Sequence, residues 1–439
     1  MTTVPEKSSN PSVNTAAETI GPGAGTPPPP HTIATGHEGS VRDQFDSYMQ
    51  RVRGGEMGML PALAGLVVLT LLFWIATPFF LTKTNIANLL TQTAALMMLA
   101  IALTFVIVIA EIDLSAGVTG GLGMAVFILL TNIAHWNWIL ALIVSFIIGA
   151  AIGTFIGFFV ARIGVPSFVI TLALFLGLQG VNLVLLGNAG AYRIEEPTVT
   201  AIMNKSMPVW AGWAMLAIII VISLATSLYD RGRRVASGMP VRPMSLLLAK
   251  VAAWVVGGGL VILLLSLNRS TSVIPIRGVP IVVPIALLIL WVGTTMLDRT
   301  RFGLHIYAVG GNPEAARRAG INVVRVRMAC FILCSSLAVV SGLFTASQVG
   351  TVESSAGRDI VLNGVAAAVV GGVSLFGGRG RLVQAAIGAL LISMITNGLG
   401  LLGLSAGITL AITGGVLALA ATVDALSRRR SGATALTRG

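Results

Sequence analysis

Residues 90–111 read LTQTAALMMLAIALTFVIVIAE, and this run decides the fold class. It holds no charged residue before Glu111. A membrane-spanning helix needs roughly 20 mostly apolar residues, which the run supplies. Moving outward in both directions, comparable windows recur at 59–82, 114–134, 138–161, 165–187, 209–228, 244–266, 279–297, 327–348, 361–376, 381–403 and 406–425, with 361–376 the weakest. With 90–111 they make about twelve hydrophobic segments. Hydrophobic residues form 55% of the chain and charged residues 10%, with mean hydropathy +0.91, far from the roughly one-quarter charged content of soluble domains. The expected fold is all-α, a polytopic transmembrane helix bundle occupying residues 56–427.

The net charge of +12 invites a nucleic-acid reading, which the placement of the charges removes. With a cytosolic N-terminus, alternation through twelve spans puts twenty-one Lys and Arg on the cytosolic side. These are Lys7, Arg42, Arg51 and Arg53 in the leading tail, Arg162, four residues in 229–243, six in 298–327, Arg379, Arg381, and four in the trailing tail. Six fall on the other side: Lys83, Arg193, Lys205, Arg269, Arg277 and Arg358. This is the positive-inside bias, so both termini are expected in the cytosol and no nucleic acid is expected as a partner.

Residues 1–55 are rich in Pro, Gly, Ser and Thr, including Pro27 to Pro30, and are expected to be a disordered cytosolic tail. Val41–Val52 is expected to lie on the inner leaflet as a short amphipathic helix. Residues 428–439 form a basic cytosolic tail. The first apolar window, near Met59, is long enough to span and reads as a retained helix rather than a cleaved signal. Cys330 and Cys334 stand one turn apart in the ninth span with no His or carboxylate near them in sequence, so they read as buried small hydrophobes rather than metal ligands. No GxxxxGK[ST] loop and no GxSxG or Ser/His/Asp arrangement stands out. The chain is therefore expected to bind no cofactor and to catalyse no bond chemistry, and any motor is expected on a separate polypeptide.

Between two apolar windows lies the basic segment 298–327, with a short helix signal inside it. Asn312 suits a cap for the first turn, Pro313 the opening helical position, Glu314 the positive end, and Arg317 and Arg318 the negative end. Gly320 suits a left-handed stop. Such a helix is too short to persist alone in water, so the flanking spans and a docked partner must hold it. Taken alone, the charge run favours an ordinary positive-inside loop that happens to be helical.

Within the apolar body, Glu111 and Asp113 abut long apolar runs on both sides. Carboxylates so placed are functional suspects; the plainer reading is a tight turn in which Asp113 caps the third helix. Ion-coupled carriers usually need titratable groups near the midplane, and few are here. The interior carries neutral polar groups instead: Gln92, Thr93, Gln179, Asn182, Gln348, Asn363, Gln384 and Asn397. As a set these suit a sugar's hydroxyls, although for any single one of them an interhelical hydrogen bond of roughly 0.6 kcal/mol is the safer reading. Gly149, Gly153 and Gly157 form a close-packing ridge, and Gly117, Gly120, Gly121 and Gly123 crowd the third span. The pairs Gly371, Gly372 and Gly377, Gly378 bracket five residues where an apolar run ends, which reads as a break or re-entrant segment.

Several of these pieces, in the same order, resemble a known family. EIDLSAG at 111–117, RFG at 301–303, GGNPEAARRAGI at 310–321, GGVSLFGGRG at 371–380 and NGL at 397–399 are similar to the inner-membrane permeases of bacterial ABC sugar importers of the ribose, galactose and xylose type. AEIDLS at 110–115 and the additional hydrophobic hairpin at 229–297 look most like the xylose branch. Residues 357–360 and 408–412 carry fewer aromatic and acidic residues than that branch, and the Pro-rich tail is extra. The resemblance implies a multi-pass inner-membrane importer subunit for a monosaccharide, xylose or a related pentose or hexose. It also implies a permease homodimer in the lipid bilayer, a cytosolic ABC ATPase with two cassettes that holds ATP-Mg, and an extracytoplasmic sugar-binding protein. It makes 298–327 the coupling loop, with Asn312, Glu314, Ala315, Arg317 and Gly320 in the ATPase groove. Glu111, Asp113, Gly371, Gly372, Gly377 and Gly378, with the polar groups Gln179, Asn182 and Asn397, are then expected at the translocation path or its gates. An ion-coupled secondary carrier acting alone is the alternative, and the sparse midplane charge disfavours it.

Overall fold

The computed structural model describes residues 59–187, 190–239, 241, 243–270, 273–419 and 422. The expectations for the tail 1–55, the surface helix at Val41–Val52 and the basic tail 428–439 lie outside the described residues.

Among the described residues, nine apolar helices are long enough to cross a membrane and three more are shorter, one for each hydrophobic segment of the sequence. In chain order the elements are α1 (Leu60–Ala76), α2 (Lys83–Val108), α3 (Ala116–Ile133), α4 (Trp138–Ile163), α5 (Ser167–Leu186), β1 (Ala191–Arg193), α6 (Pro197–Asn204), α7 (Val209–Ala236), α8 (Met244–Ser266) and α9 (Val282–Arg299). There follow α10 (Arg301–Gly311), α11 (Pro313–Arg318), α12 (Val323–Val349), β2 (Thr351–Glu353), α13 (Ile360–Val370), α14 (Leu382–Leu401) and α15 (Ala406–Leu419). α4 is apolar on every face through Trp138–Gly157, as a bilayer allows, and a helix is viable there because it satisfies its own backbone groups.

The hub is α2, with 89% of its span buried in the protein against α12, α14, α13 and α9. It opens well before the apolar run, because the Thr82 hydroxyl caps the amide of Asn85 and carries the helix through Lys83–Asn88. The glycine ridge of α4 lies against α12, where side chains at Gly149, Gly153 and Gly157 would collide with Ser335 and Val339, Phe331 and Ile332, and Met328. Backbone contact of that kind is the usual means of helix association where no water is expelled. By contrast α7 and α8 have only 11% and 6% of their spans buried.

Two features depart from a simple run of spans. The first is the weak window at 361–376, which is a half-length helix, α13, of 11 residues, about 16 Å long. Irregular backbone lies on both sides of it. Before it, β2 pairs with β1 and residues 354–359 fold back along α3, so that the carbonyls of Ala356 and Gly357 lie where side chains at Gly121 and Gly117 would be. After it come turns and bends through 371–381. The second is residues 301–311, read from their charge as loop but helical as α10. Thr300 caps the amide of Gly303, and Ile306 and Val309 point into the core.

Candidate functional site

The five residues expected at a partner lie together on the outer surface of one short helix. Asn312 Oδ1 accepts from the amides of Glu314 and Ala315, each at 3.0 Å, so the cap read from sequence is made. Gly320, at φ +83°, turns the chain out, and the Ile321 amide returns to the Ala316 carbonyl at 3.0 Å. Asn312, Glu314, Ala315, Arg317 and Gly320 are exposed, while Ala316 alone on α11 is buried. The ion pairs of Glu314 with Arg317 and Arg318 are 3.3 and 3.6 Å long; at such exposure they contribute little stability.

Beside α11 three breaks in the helical ladder meet backbone to backbone. The end of α2, the end of α10 and the turns after α13 are far apart in sequence. In the fold the Gly378 amide donates to the Val108 carbonyl at 2.8 Å. A side chain at Gly310 would overlap that same carbonyl oxygen. Gly377, at φ +76°, packs on Ala110 and on the Gly310 carbonyl. Ala110 itself sits at φ 62°, a region that alanine seldom adopts. Tyr307 of α10 closes the group by donating to the Gly380 carbonyl at 2.6 Å. Burial, with Asp298 acting the same way, pushes the Tyr307 phenol up to about 12.

The EIDLS turn between α2 and α3 uses its two carboxylates differently. Asp113 is buried, and its Oδ1 accepts from the Ser115 amide at 2.9 Å and hydroxyl at 2.6 Å, which closes the tight turn. The N-cap of α3 is Ser115, with no side-chain cap, so Asp113 holds the turn rather than capping the helix as expected. Glu111 pairs with Arg327 of α12 at 3.4 Å, with 13% and 25% of the two side chains exposed. Ser167 and Thr171 of α5 hold the backbone of Ile112 between them, at 3.2 and 3.3 Å. Arg327, Tyr307 and Ser167 escaped the sequence reading; Cys330 and Cys334 are buried free thiols, as read, but that Cys334 lies against Asp113 was not legible.

The remaining candidates stand apart from this junction. Asn397 bridges α14 to α2, accepting from Asn85 at 2.9 Å and donating to Gln92 at 3.4 Å. Gln179 and Asn182 are buried on α5, and both amide atoms of Asn182 lack a hydrogen-bond partner. Gly371 touches the Gln384 carbonyl of α14, and Gly372 takes φ +104°. One cavity, of about 180 Å³, lies between α2, α3, α12 and the fold-back, against Ser341, Gly342 and Glu353. A second, of about 490 Å³, lies at the opposite end against Lys83, Asn85, Asn88 and Arg269. Neither includes Gln179 or Asn182.

A family profile described as branched-chain amino acid transport system / permease component matches residues 85–421, which takes in the whole junction. The chain belongs to that permease family. The permease is 33% identical over 370 residues to the xylose transport system permease protein of Escherichia coli (strain K12), covering 84% of this chain and 92% of that one. It is 32% identical over 371 residues to the protein of the same name from Haemophilus influenzae, covering 84% and 96%. The ribose import permease protein of Escherichia coli (strain K12) is 31% identical over 363 residues, covering 83% and 92%. No solved structure matches the permease. The resemblance to sugar permeases of the ribose and xylose type, drawn above from five short motifs, thus holds over most of the chain.

Proposed function

We propose that this permease is the translocating subunit of an ATP-driven importer that carries a monosaccharide, xylose or a related pentose or hexose, across the bacterial inner membrane. Its relatives are named for xylose and ribose transport. The observation that carries the reading is α11: a capped helix too short to stand alone, exposed at Asn312, Glu314, Ala315, Arg317 and Gly320, and following directly on the end of α10, which meets two other broken segments of the bundle at Gly310. In this reading α11 faces the cytosol, as do both termini, and docks in a groove of an ABC ATPase with two cassettes. ATP-Mg binds there and not on this chain. Two copies of the permease enclose the path, and an extracytoplasmic sugar-binding protein delivers the sugar to the opposite end. The permease supplies alternating access, a rigid-body change of the helices driven from outside the chain.

The test is the double variant Glu314→Ala, Arg317→Ala in the intact importer. Both side chains are more than half exposed, so the variant is expected to insert at wild-type levels and to lose uptake of labelled xylose together with sugar-stimulated ATP hydrolysis. Undiminished uptake would sink the reading. So would purified permease that moves sugar by itself in liposomes under an ion gradient.

A further inference from the structure

We propose that Arg327, through Glu111, is the positioning residue that carries displacement of α11 into the EIDLS turn and from there to α5. This rests on the reading of α11 as the ATPase contact.

The argument is one of connectivity. A force on α11 passes by the short turn 319–322 into the first turns of α12, where Arg327 lies. Arg327 Nη2 meets Glu111 Oε1 at 3.4 Å, so a shift of α12 is felt first at the turn that joins α2 to α3. The Ile112 backbone, one residue on, is gripped by Ser167 and Thr171 of α5. Unlike α2, α5 has only 22% of its span buried, so little packing within the chain opposes its movement, and it carries Gln179 and the unpartnered Asn182.

Two further observations separate this pair from a static clamp. Arg327 Nε is buried with no hydrogen-bond partner, so the guanidinium is under-satisfied in this state and has a bond to gain when the turn moves. The turn is also conditionally held, because Ala110 keeps its left-handed φ while in contact with Gly377. Such strain persists only where surrounding structure enforces it and marks elements with two arrangements. Spatial continuity alone does not prove coupling, so the claim is tested by a charge-swap cycle.

In cells carrying the importer with its own partners, uptake of labelled xylose and ribose is measured per permease molecule in the membrane. The variants are Arg327→Gln, Glu111→Gln and the swap E111R/R327E. Each single variant is expected to lower uptake per molecule by about tenfold, the scale of ordinary coupling energies, with the swap recovering most of it. A merely structural pair would lower the amount of permease and leave uptake per molecule unchanged. Singles with wild-type uptake per molecule, or a swap no better than the singles, overturn the proposal. Where the singles leave too little protein, the double variant Glu111→Gln, Arg327→Gln, which removes the ion pair without leaving either charge unpaired, decides: reduced uptake per molecule supports the link and full uptake refutes it. Wild-type uptake that survives ATP depletion would refute the reading of α11 instead, so the two failures are distinguishable.

Discussion

Tyr307 donates its hydroxyl to the Gly380 carbonyl at 2.6 Å and so ties the amphipathic helix before α11 to the glycine turns after α13. A side chain thereby joins two segments 73 residues apart at the place where their backbones already touch.

Removing that hydroxyl in Tyr307→Phe is expected to cost about 1 kcal/mol, the usual net worth of such a bond, and to lower uptake while the permease still inserts. The phenol is raised from 10.0 to about 12, so the folded state favours its protonated form. Its contribution is complete below pH 10 and is lost as pH climbs toward about 12. Melting curves of wild type and variant in detergent should therefore converge over that window. A constant gap across it would show that the hydroxyl does not titrate with folding.

Gly310 and Gly311 make a paired test. Alanine at 310 places its methyl on the Val108 carbonyl, whereas 311 opens on free space. Gly310→Ala is expected to cost about 2 kcal/mol or more, since backbone offers no easy relief, and Gly311→Ala to be neutral. Equal melting temperatures for the two variants would contradict the junction geometry.

Asn312→Ala removes the cap of α11. Two amides lose their acceptor, at a local cost of about 1 kcal/mol. Because α11 is exposed, the melting of the bundle should not move, but uptake should fall, and Asn312→Asp should restore it. Wild-type uptake in Asn312→Ala would mean that the order of α11 is irrelevant to transport.

At the opposite end Arg269 donates to the Leu265 and Gly278 carbonyls at 3.0 and 2.8 Å and to the Ser206 hydroxyl at 2.8 Å. These bonds leave two nitrogens of one planar fork, a spread that the single nitrogen of an ammonium does not reproduce. Arg269→Ala and Arg269→Lys are both expected to loosen residues 273–281, raising their cleavage by protease in the detergent-solubilised permease several-fold. An unchanged cleavage pattern for the lysine variant would show that the fork is not needed.

Much of the molecule was legible in the sequence because it depends on local chemistry. The spans follow from runs of apolar residues, and the Asn312 cap, the Gly320 stop and the weak span at 361–376 from residues within a few positions of each other. The amphipathic helix 301–311 was hidden by the charges on either side of it in 298–327, although Phe302, Ile306 and Val309 already marked an apolar face. The junction was not legible at all. Each of its glycine motifs could be noticed singly, but their meeting at Val108 depends on how α2, α10 and α13 pack. Glu111 stood out by its position between apolar runs, yet nothing in one dimension pointed to Arg327 as its partner. Gln179, Asn182 and Asn397 stood out by residue type, and residue type does not say which helix a side chain faces.

The hairpin of α7 and α8 touches the rest of the chain so sparingly that few protein neighbours constrain its side chains. What these two helices must satisfy is solubility in hydrocarbon over the thickness of the membrane. Their sequence is thus free to drift among apolar residues without disturbing the packed helices around α2, and a change in lipid composition should tilt them before it reaches α2.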